Sequence, residues 1–435
     1  EQLAGDLFEK PTNEQLVATG YNRLLQTSHE GGIQRKEYLA IYAADRVRNV
    51  SAVWMGATVG CAQCHDHKYD PYTIGDFYTL SAFFADIHDD GFGGNSLPTV
   101  RPPYVKAYPA KVREEMRLLE QEIAVLHQAP PNGKVLEAWS AKHAGLRAKL
   151  VKERNKEKKS ALQKEIWALE KSGIEGVSKG EFTIYRTKLK RLETIGKSGQ
   201  NTMITKAKAP RQIRILPRGN WLDDSGEVVL PAVPVFMGVR EPRKAGRLDR
   251  LDLAEWLTDP KDGSGGLTAR VFANRLWYLF FGEGLSPSLE DFGGQGQPPT
   301  NRPLLDKLSV ALIENDWSIK KTVRLIVTSR AYRQSSLVSA ELARLDPENK
   351  WFGRQARYRL PAEMIRDNAL FVSGLLQEGD AFNFSKPYQP EGYYRHLNFP
   401  RRSYRHDTDA NQWRRGVYLH WQRQFLHPMM KAMDA

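Results

Sequence analysis

Residues 36–65 read KEYLAIYAADRVRNVSAVWMGATVGCAQCH, and they contain the two features on which the interpretation of this chain depends. Apolar and polar side chains recur at helical spacing over residues 36–55, which predicts an amphipathic helix. Its apolar side consists of Leu39, Ala43, Val47, Val50 and Trp54. Gly56 and Gly60 then loosen the end of the helix directly before two cysteines and a histidine.

Helical spacing recurs along most of the chain. It is found at residues 74–87, 251–257, 267–281, 303–315, 319–329 and 361–376. Ser318 has the sequence context of a helix N-cap, whereas residues 213–238 alternate in the way that one or two short strands do. We therefore predict a mainly α protein: two helical domains with few short strands, separated by an inserted, coiled-coil-like helical hairpin.

Composition excludes several classes of protein. The chain has 435 residues, of which 41% are hydrophobic and 26% charged, a balance that excludes a disordered or collagen-like chain. Two cysteines cannot staple a disulfide scaffold. No apolar run approaches the roughly 18 residues that a membrane span needs. The net charge of +13 is concentrated in residues 106–214, which contain 25 Lys and Arg, 12 Glu and no Asp.

These changes in character divide the chain into three regions. We predict a helical domain at residues 1–105, a basic helical hairpin inserted at residues 106–212, and a second helical domain at residues 213–435. The first residues read as the middle of a helix without an initiating Met, and the sequence ends abruptly. We therefore expect the first domain to be incomplete at its N-terminus and the second at its C-terminus.

Cys61-Ala62-Gln63-Cys64-His65, here called the CxxCH motif, is the attachment signature of c-type haem. Two thiols at this spacing bond the two vinyl groups on one edge of a porphyrin, and the following imidazole binds the iron on the proximal side. The motif thus predicts one covalent haem c, attached through Cys61 and Cys64 with His65 as an axial ligand.

Two other chemistries use the same residue types. Zinc is an alternative, with Cys61, Cys64, His65 and His67 as ligands, although structural zinc takes its ligand pairs from two separated segments and no second pair exists here. A redox dithiol is another, although its CxxC normally lies near a βαβ pattern that this chain lacks.

Residues that follow the motif are candidates for contacts with the haem. His67, Lys68 and Tyr69 are candidate hydrogen-bond donors to the propionates, and Phe77 is a candidate for the wall of the site, with core packing as the alternative. The sequence does not fix the second axial ligand. His88 and Met55 are the nearest candidates in sequence, and the remaining ones are His29, His396, His406, His420 and His427.

Several sequence blocks resemble a known family. Residues 60–71 (GCAQCHDHKYDP), 76–78 (DFY) and 82–84 (AFF) resemble the first of two planctomycete cytochrome c-associated domains of unknown function. The second domain is marked by 267–277 (LTARVFANRLW), 281–285 (FGEGL), 291–293 (DFG), 331–335 (AYRQS), 359–363 (RLPAE) and 365–367 (IRD). The resemblance covers about residues 1–100 and 230–435, and the basic region between them resembles a variable insertion.

This resemblance implies little biochemistry. Relatives are typically large exported chains, often preceded by another haem-binding module, a planctomycete cytochrome c. Many relatives carry His in the stretch after residues 274–277, where this chain has Tyr278-Leu279-Phe280, so no histidine role is carried over.

The leading functional hypothesis is an exported, periplasmic or equivalently located c-type cytochrome that passes electrons within a larger oxidoreductase assembly. Its partner would be a redox protein or an upstream cytochrome module, and the basic hairpin would dock an acidic partner or a polyanion. No nucleic-acid module is recognisable.

One alternative is a haem-dependent enzyme that oxidises a carbohydrate-like substrate. Its candidate polar residues are Asn274, Arg275, Asp291, Glu363, Arg366 and Asp367, with ion pairing between domains as the structural alternative. The other is a scaffold with a structural haem.

Overall fold

The fold is known from a computed structural model. It describes residues 1–25, 27, 33–87, 89, 101–129, 131–379, 384–392, 404–421 and 426–433. Within these residues helices dominate, and the strands form two small two-stranded sheets. The predicted mainly α fold is therefore confirmed. No helix in this part of the chain combines the length and the apolar character that crossing a membrane requires.

The N-terminal region contains α1 (Asn13–Ala18), α2 (Arg35–Val50) and α3 (Ile74–Ala82). The helix predicted at residues 36–55 is confirmed, except that its last turn, Ser51–Met55, is π-helical and ends at Gly56 with a left-handed backbone. Helix α3 begins with a capping box formed by Thr73 and Asp76. It ends five residues earlier than predicted, because residues 83–86 continue as tighter turns.

The inserted region contains four helices rather than one long hairpin. They are α4 (Ala110–Gln128), α5 (Gly133–Lys152), α6 (Lys156–Ser172) and α7 (Lys179–Ser198). The helical periodicity of residues 133–172 is interrupted at Asn155, whose side chain accepts hydrogen bonds from the backbone N–H groups of Glu157 and Lys158 and so starts a new helix. Helix α4 packs against α5 and α7, and α5 packs against α6.

An antiparallel ribbon closes the base of the inserted region. Strand β1 (Tyr104–Ala107) pairs with β2 (Gln200–Met203). Above the ribbon, the four helices have a hydrophobic core of their own, formed by Ile123, Leu136, Trp139, Phe182 and Tyr185. The region therefore packs around its own side chains. The ribbon brings its two ends together, and the region also contacts α1, through an ion pair between Arg113 and Glu14 and a hydrogen bond from Asn13 to the carbonyl of Lys106.

After the insertion, β3 (Ile213–Arg214) pairs with β4 (Val228–Val229), and the rest of the described chain is helical or irregular. The helices are α8 (Arg250–Thr258), α9 (Gly265–Phe281), α10 (Arg302–Glu314), α11 (Ile319–Thr328), α12 (Arg330–Arg333), α13 (Ala340–Leu345), α14 (Ala362–Val372) and α15 (Pro428–Ala432). The predicted N-cap at Ser318 is confirmed, since its side chain accepts a hydrogen bond from the backbone of Lys321.

The first hydrophobic core joins distant parts of the chain. It combines side chains from residues 3–87 with Val233, Leu248, Leu253, Trp256 and Leu257. A second core is built mainly from α9, α10 and α11. The segments before and after the insertion thus share the first core, whereas the second core belongs to the segment after the insertion.

A buried ion cluster reinforces this junction. Arg250, at the start of α8, is 0% exposed and binds the carboxylates of Asp6 and Asp86. Its Nη1 lies 2.8 Å from Oδ1 of Asp6, and its Nε lies 2.9 Å from Oδ1 of Asp86. These contacts span 244 and 164 residues of sequence, and they fix the N-terminus against the second half of the chain.

Candidate functional site

The CxxCH motif lies on a 3₁₀ turn, Val59–Gln63, whose two sides differ. Val59 and Ala62 are fully buried in the first core, whereas Cys61 and Cys64 are exposed free thiols. In a 3₁₀ helix, side chains three residues apart lie on the same side. The buried pair therefore anchors the turn, and the spacing of the cysteines directs both thiols outward.

His65 continues the exposed side of the turn. Its Nδ1 donates a hydrogen bond to the backbone carbonyl of Asp66 at 2.7 Å. This bond fixes the tautomer, so that Nε2 carries the free lone pair. Metal-binding histidines usually have this arrangement, in which one ring nitrogen donates to a carbonyl and the other binds the metal.

His67 is buried in the loop that follows the motif. Its side chain is only 1% exposed, and Nδ1 accepts hydrogen bonds from the backbone N–H groups of Tyr69 at 3.3 Å and Asp70 at 3.0 Å. Oδ2 of Asp70 lies 3.4 Å from the same nitrogen, but a nitrogen that accepts two N–H groups carries no proton for an ion pair. His67 therefore folds the loop after the motif and presents no donor at the surface.

That loop also separates His67 from the other zinc candidates. Within the described residues, no group of three His, Cys, Asp or Glu side chains is arranged to hold a metal ion. The four-residue zinc set considered from the sequence is therefore not assembled.

The other candidate contacts divide into exposed and buried residues. Lys68 and Tyr69 are both exposed, and the Lys68 ammonium lies 5.1 Å from the centroid of the Tyr69 ring. Phe77 is 2% exposed and packs edge-on against Tyr78 in the first core. Lys68 and Tyr69 thus lie at the surface beside the motif, whereas the contacts of Phe77 are those of a core residue.

Of the two nearest candidates for the second axial ligand, Met55 is 1% exposed within the first core. Its thioether is therefore not presented at the surface where His65 lies. His88, like His29 and His396, lies outside the described residues. His406, His420 and His427 contact side chains or backbone of the C-terminal region: the ring of His406 packs on Tyr388, that of His420 on Phe384, and His427 donates to the carbonyl of Tyr388.

A turn that the sequence did not connect with the motif packs directly against Cys64. Gly219 ends the Pro217–Gly219 turn with φ +70°, and a Cβ added there would lie 2.7 Å from Sγ of Cys64. The position of this turn beside the thiol could not be predicted from the sequence, because 154 residues lie between Cys64 and Gly219. Only glycine allows the backbone to approach the thiol this closely.

Tyr78 connects this turn to the motif. Its hydroxyl group lies 3.0 Å from the carbonyl oxygen of Gln63 and 3.4 Å from that of Leu216. Burial raises the pKa of Tyr78 to about 12, and the neighbouring Cys64 acts in the same direction. The hydroxyl therefore stays protonated at neutral pH and donates to these carbonyls.

Replacing Tyr78 with phenylalanine is expected to lower the free energy of unfolding by about 1 kcal/mol, since the donor to both carbonyls is lost. We also expect Cys64 to react faster with a disulfide reagent, measured with Cys61 replaced by alanine, because the turn over its thiol is released. Tyr72→Phe is the matched control, because Tyr72 is also buried in the first core and its hydroxyl has no hydrogen-bond partner in the described residues. Equal reactivity of Cys64 in both variants would contradict the bridging role.

A loop of the second domain supports the other side of the motif. The backbone N–H of Phe292 donates to the carbonyl of Gly56 at 2.7 Å, and that of Gly294 donates to Oδ1 of Asp70 at 2.6 Å. Asp291, an enzyme candidate from the sequence, accepts hydrogen bonds from Gly293 of its own loop and from Thr58. The segments before and after the CxxCH motif are thus both held by residues 291–294.

Four of the remaining polar candidates make structural contacts. Arg275 donates to the carbonyls of Ala52 and Val53 at the π-helical turn, and the buried amide of Asn274 makes two hydrogen bonds with the backbone of Ser286. In the C-terminal region, Arg366 donates to the carbonyls of Gln412 and Arg414, and Asp367 accepts from the backbone of Gly416.

Glu363 packs against Gly416. A Cβ added to Gly416 would lie 2.9 Å from the Cβ of Glu363. It lies on α14, as do Arg366 and Asp367, whereas Asn274 and Arg275 lie on α9. The structure thus engages these candidates in packing and backbone contacts rather than gathering them around one site.

Comparison with protein-family models identifies two regions. Residues 1–89 match PSCyt2, a protein of unknown function (DUF1549), and residues 249–435 match PSD1, a protein of unknown function (DUF1553). The resemblance to two successive domains of unknown function is confirmed at this level. No curated protein and no solved structure matches the chain. The Pro217–Gly219 turn and the four-helix insertion lie between the two matched regions.

Proposed function

We propose that this chain, which pairs the PSCyt2 and PSD1 domains of unknown function, is an exported c-type cytochrome that carries one covalent haem and transfers electrons as a module of a larger oxidoreductase assembly. The observation that carries the proposal is the exposed side of the Val59–Gln63 turn and its continuation. Cys61, Cys64 and His65 are all exposed there, beside a turn anchored by buried residues.

The residues present fit a covalent haem in two respects. The donor set consists of two thiols and an imidazole whose Nε2 is left free by the bond between Nδ1 and Asp66. In addition, Gly219 leaves next to Cys64 a space that any Cβ would fill. Cys61 and Cys64 would hold the group through thioether bonds, and His65 would bind its iron.

A haem bound in this way supplies a one-electron redox couple. The protein's own contribution is to position the attachment residues. Val59 and Ala62 fix the turn to the core, Tyr78 ties it to the Pro217–Gly219 turn, and Asp66 orients the imidazole. Lys68 and Tyr69, both exposed beside the motif, remain the candidate donors to the propionates.

Export follows from the same chemistry. Thioether haem is assembled outside the cytoplasm, so we propose a periplasmic or equivalent location. The chain has no cysteine besides Cys61 and Cys64, so no other thiol competes during attachment. A redox partner protein, or a cytochrome module preceding this segment, would exchange electrons with it.

The test is to export the chain in a host that matures c-type cytochromes and to record the reduced pyridine spectrum after denaturation. We expect one haem c per chain. Cys61→Ala and Cys64→Ala should each weaken attachment, and the double variant should abolish it. Lys68→Ala is the control, because it changes an exposed residue beside the motif without touching the thiols. A native wild-type protein with no haem c would overturn the proposal.

The native spectrum distinguishes electron transfer from the alternatives. A six-coordinate spectrum that is unchanged by carbon monoxide indicates an electron carrier. A spectrum that shifts with carbon monoxide indicates an open or displaceable iron site and favours a haem-dependent enzyme. A bound haem that neither reductants nor oxidants reach favours a structural role within a scaffold.

A further inference from the structure

The charges of the four-helix insertion are paired unevenly. Between α4 and α7, acidic and basic side chains meet across the helix interface: Arg191 pairs with Glu115 at 2.6 Å, and Lys188 pairs with Glu122. On α6, the carboxylate of Glu170 is bound by His143 and Arg147 of α5 and by Arg186 of α7. Most of these basic side chains therefore already have an anionic partner within the protein.

The connection between α5 and α6 is different. Residues 149–164, here called the basic tip, carry seven basic side chains and two acidic ones. The basic residues are Lys149, Lys152, Arg154, Lys156, Lys158, Lys159 and Lys164. All seven are exposed, and none forms an ion pair within the part of the chain that the structure describes. Glu153 is used locally, since its Oε1 accepts from the backbone N–H groups of Arg154 and Asn155 at 2.9 Å.

An exposed apolar side chain lies within the basic tip. Val151 is 84% exposed, in the last turn of α5 between Lys149 and Lys152. Beside it, a groove of about 500 Å³ is lined by residues that include Lys149, Lys158 and Leu162. A solvated helix end gains nothing from a highly exposed aliphatic residue, whereas a surface that buries apolar groups beneath phosphates does.

From this combination we propose that the basic tip docks the protein on an anionic lipid surface. The seven cations bind headgroup phosphates, and Val151 enters the boundary between headgroups and acyl chains. The tip contains no aromatic residue on which nucleic-acid bases could stack, so its chemistry favours a lipid surface over a single-stranded nucleic acid. This inference does not depend on the presence of haem.

The first test is co-sedimentation of the full chain with vesicles of phosphatidylglycerol and phosphatidylcholine, compared with phosphatidylcholine alone. We expect binding only to the anionic vesicles and a steep loss as salt rises, because exposed charges are screened over about 10 Å at 0.1 M ionic strength. The triple variant Lys152→Glu/Lys156→Glu/Lys159→Glu should weaken binding roughly tenfold or more.

A matched control carries the same change of charge elsewhere on the insertion. Lys134→Glu/Lys142→Glu/Lys179→Glu alters three exposed lysines that lie outside the tip and form no ion pair among the described residues. We expect it to retain most of the vesicle binding. Equal losses in the two triple variants would show that net charge, and not the tip, governs the interaction, which would overturn the proposal.

A substitution at Val151 distinguishes binding to a lipid surface from binding to a soluble polyanion. Val151→Asp should weaken binding to anionic vesicles several-fold beyond the effect of one added charge, for which Ser160→Asp, an exposed position within the tip, is the control. Inorganic polyphosphate serves as the soluble probe, and there the two aspartate variants should bind alike. If wild type binds polyphosphate strongly and the two variants bind vesicles equally well, the tip recognises a polyanion in solution and the lipid assignment is wrong.

Discussion

Replacing Arg250 with alanine is expected to lower the free energy of unfolding by about 3–5 kcal/mol, because it leaves two buried carboxylates without their cation. The guanidinium group makes hydrogen bonds with Asp6 and Asp86, and its Nη1 also donates to the carbonyl of Leu3 at 2.6 Å. Since the three partners come from the first core's N-terminal segments, the loss should separate those segments from α8.

Denaturation in urea, followed by circular dichroism, measures this effect. Lys36→Ala is the control, since it removes an ion pair with Asp224 whose side chains are 47% and 61% exposed, and its cost should stay below about 1 kcal/mol. Adding Asp6→Asn and Asp86→Asn to Arg250→Ala should recover part of the loss, because the uncompensated charges are then removed. An Arg250→Ala protein as stable as the Lys36→Ala protein would show that the cluster contributes nothing to the junction.

Gly56→Ala should be the second most damaging substitution, with an expected loss of about 2–4 kcal/mol. Gly56 has φ +57°, which disfavours any side chain. A Cβ at this position would also lie 2.7 Å from the ring of Phe292 and 2.8 Å from the side chain of Val271. The substitution would therefore push the second domain's loop away from the segment that leads into the CxxCH motif.

The two causes can be separated by a second change. Gly56→Ala/Phe292→Leu relieves the contact with Phe292 but neither the contact with Val271 nor the backbone strain, so it should recover part of the stability relative to Gly56→Ala. Gly266→Ala is the matched control, since Gly266 lies in α9 with open space around it, and alanine there should be neutral or stabilising by up to about 1 kcal/mol. Thermal unfolding of the four proteins provides the comparison. Equal melting temperatures for wild type and Gly56→Ala would refute the packing argument.

Features that depend on neighbouring residues could be predicted from the sequence. Helix α2, helices α8, α9, α10, α11 and α14, and the N-cap at Ser318 follow from periodicity and capping over a few turns, whereas the short helices α12, α13 and α15 were not predicted. The CxxCH motif was recognisable for the same reason, since its spacing is contained in five residues. The start of α6 at Asn155 was missed, because a capping residue inside a long helical pattern resembles an ordinary polar position until its backbone is seen.

Contacts between distant segments could not be predicted. Nothing near Gly219 indicates that its backbone lies against Cys64, and nothing near Asp70 indicates that its carboxylate binds Gly294. The hydrogen bonds of His67 depend on how the following loop folds back, so its residue type alone does not indicate them. Such contacts are set by three-dimensional packing, which a single sequence does not encode in any local pattern.

The ribbon between Tyr104–Ala107 and Gln200–Met203 has a consequence for how this protein can change. Ala107 faces Gln200 across the ladder, so the chain leaves the body and returns to it at neighbouring positions. To the rest of the molecule, the ninety-odd residues between them are equivalent to the loop of a single hairpin, and the entropy of closing a loop grows only slowly with its length. Helices can therefore be gained, lost or exchanged above this ladder. Such a change would alter the surface with which the insertion docks, while the residues packed around the CxxCH motif stay in place.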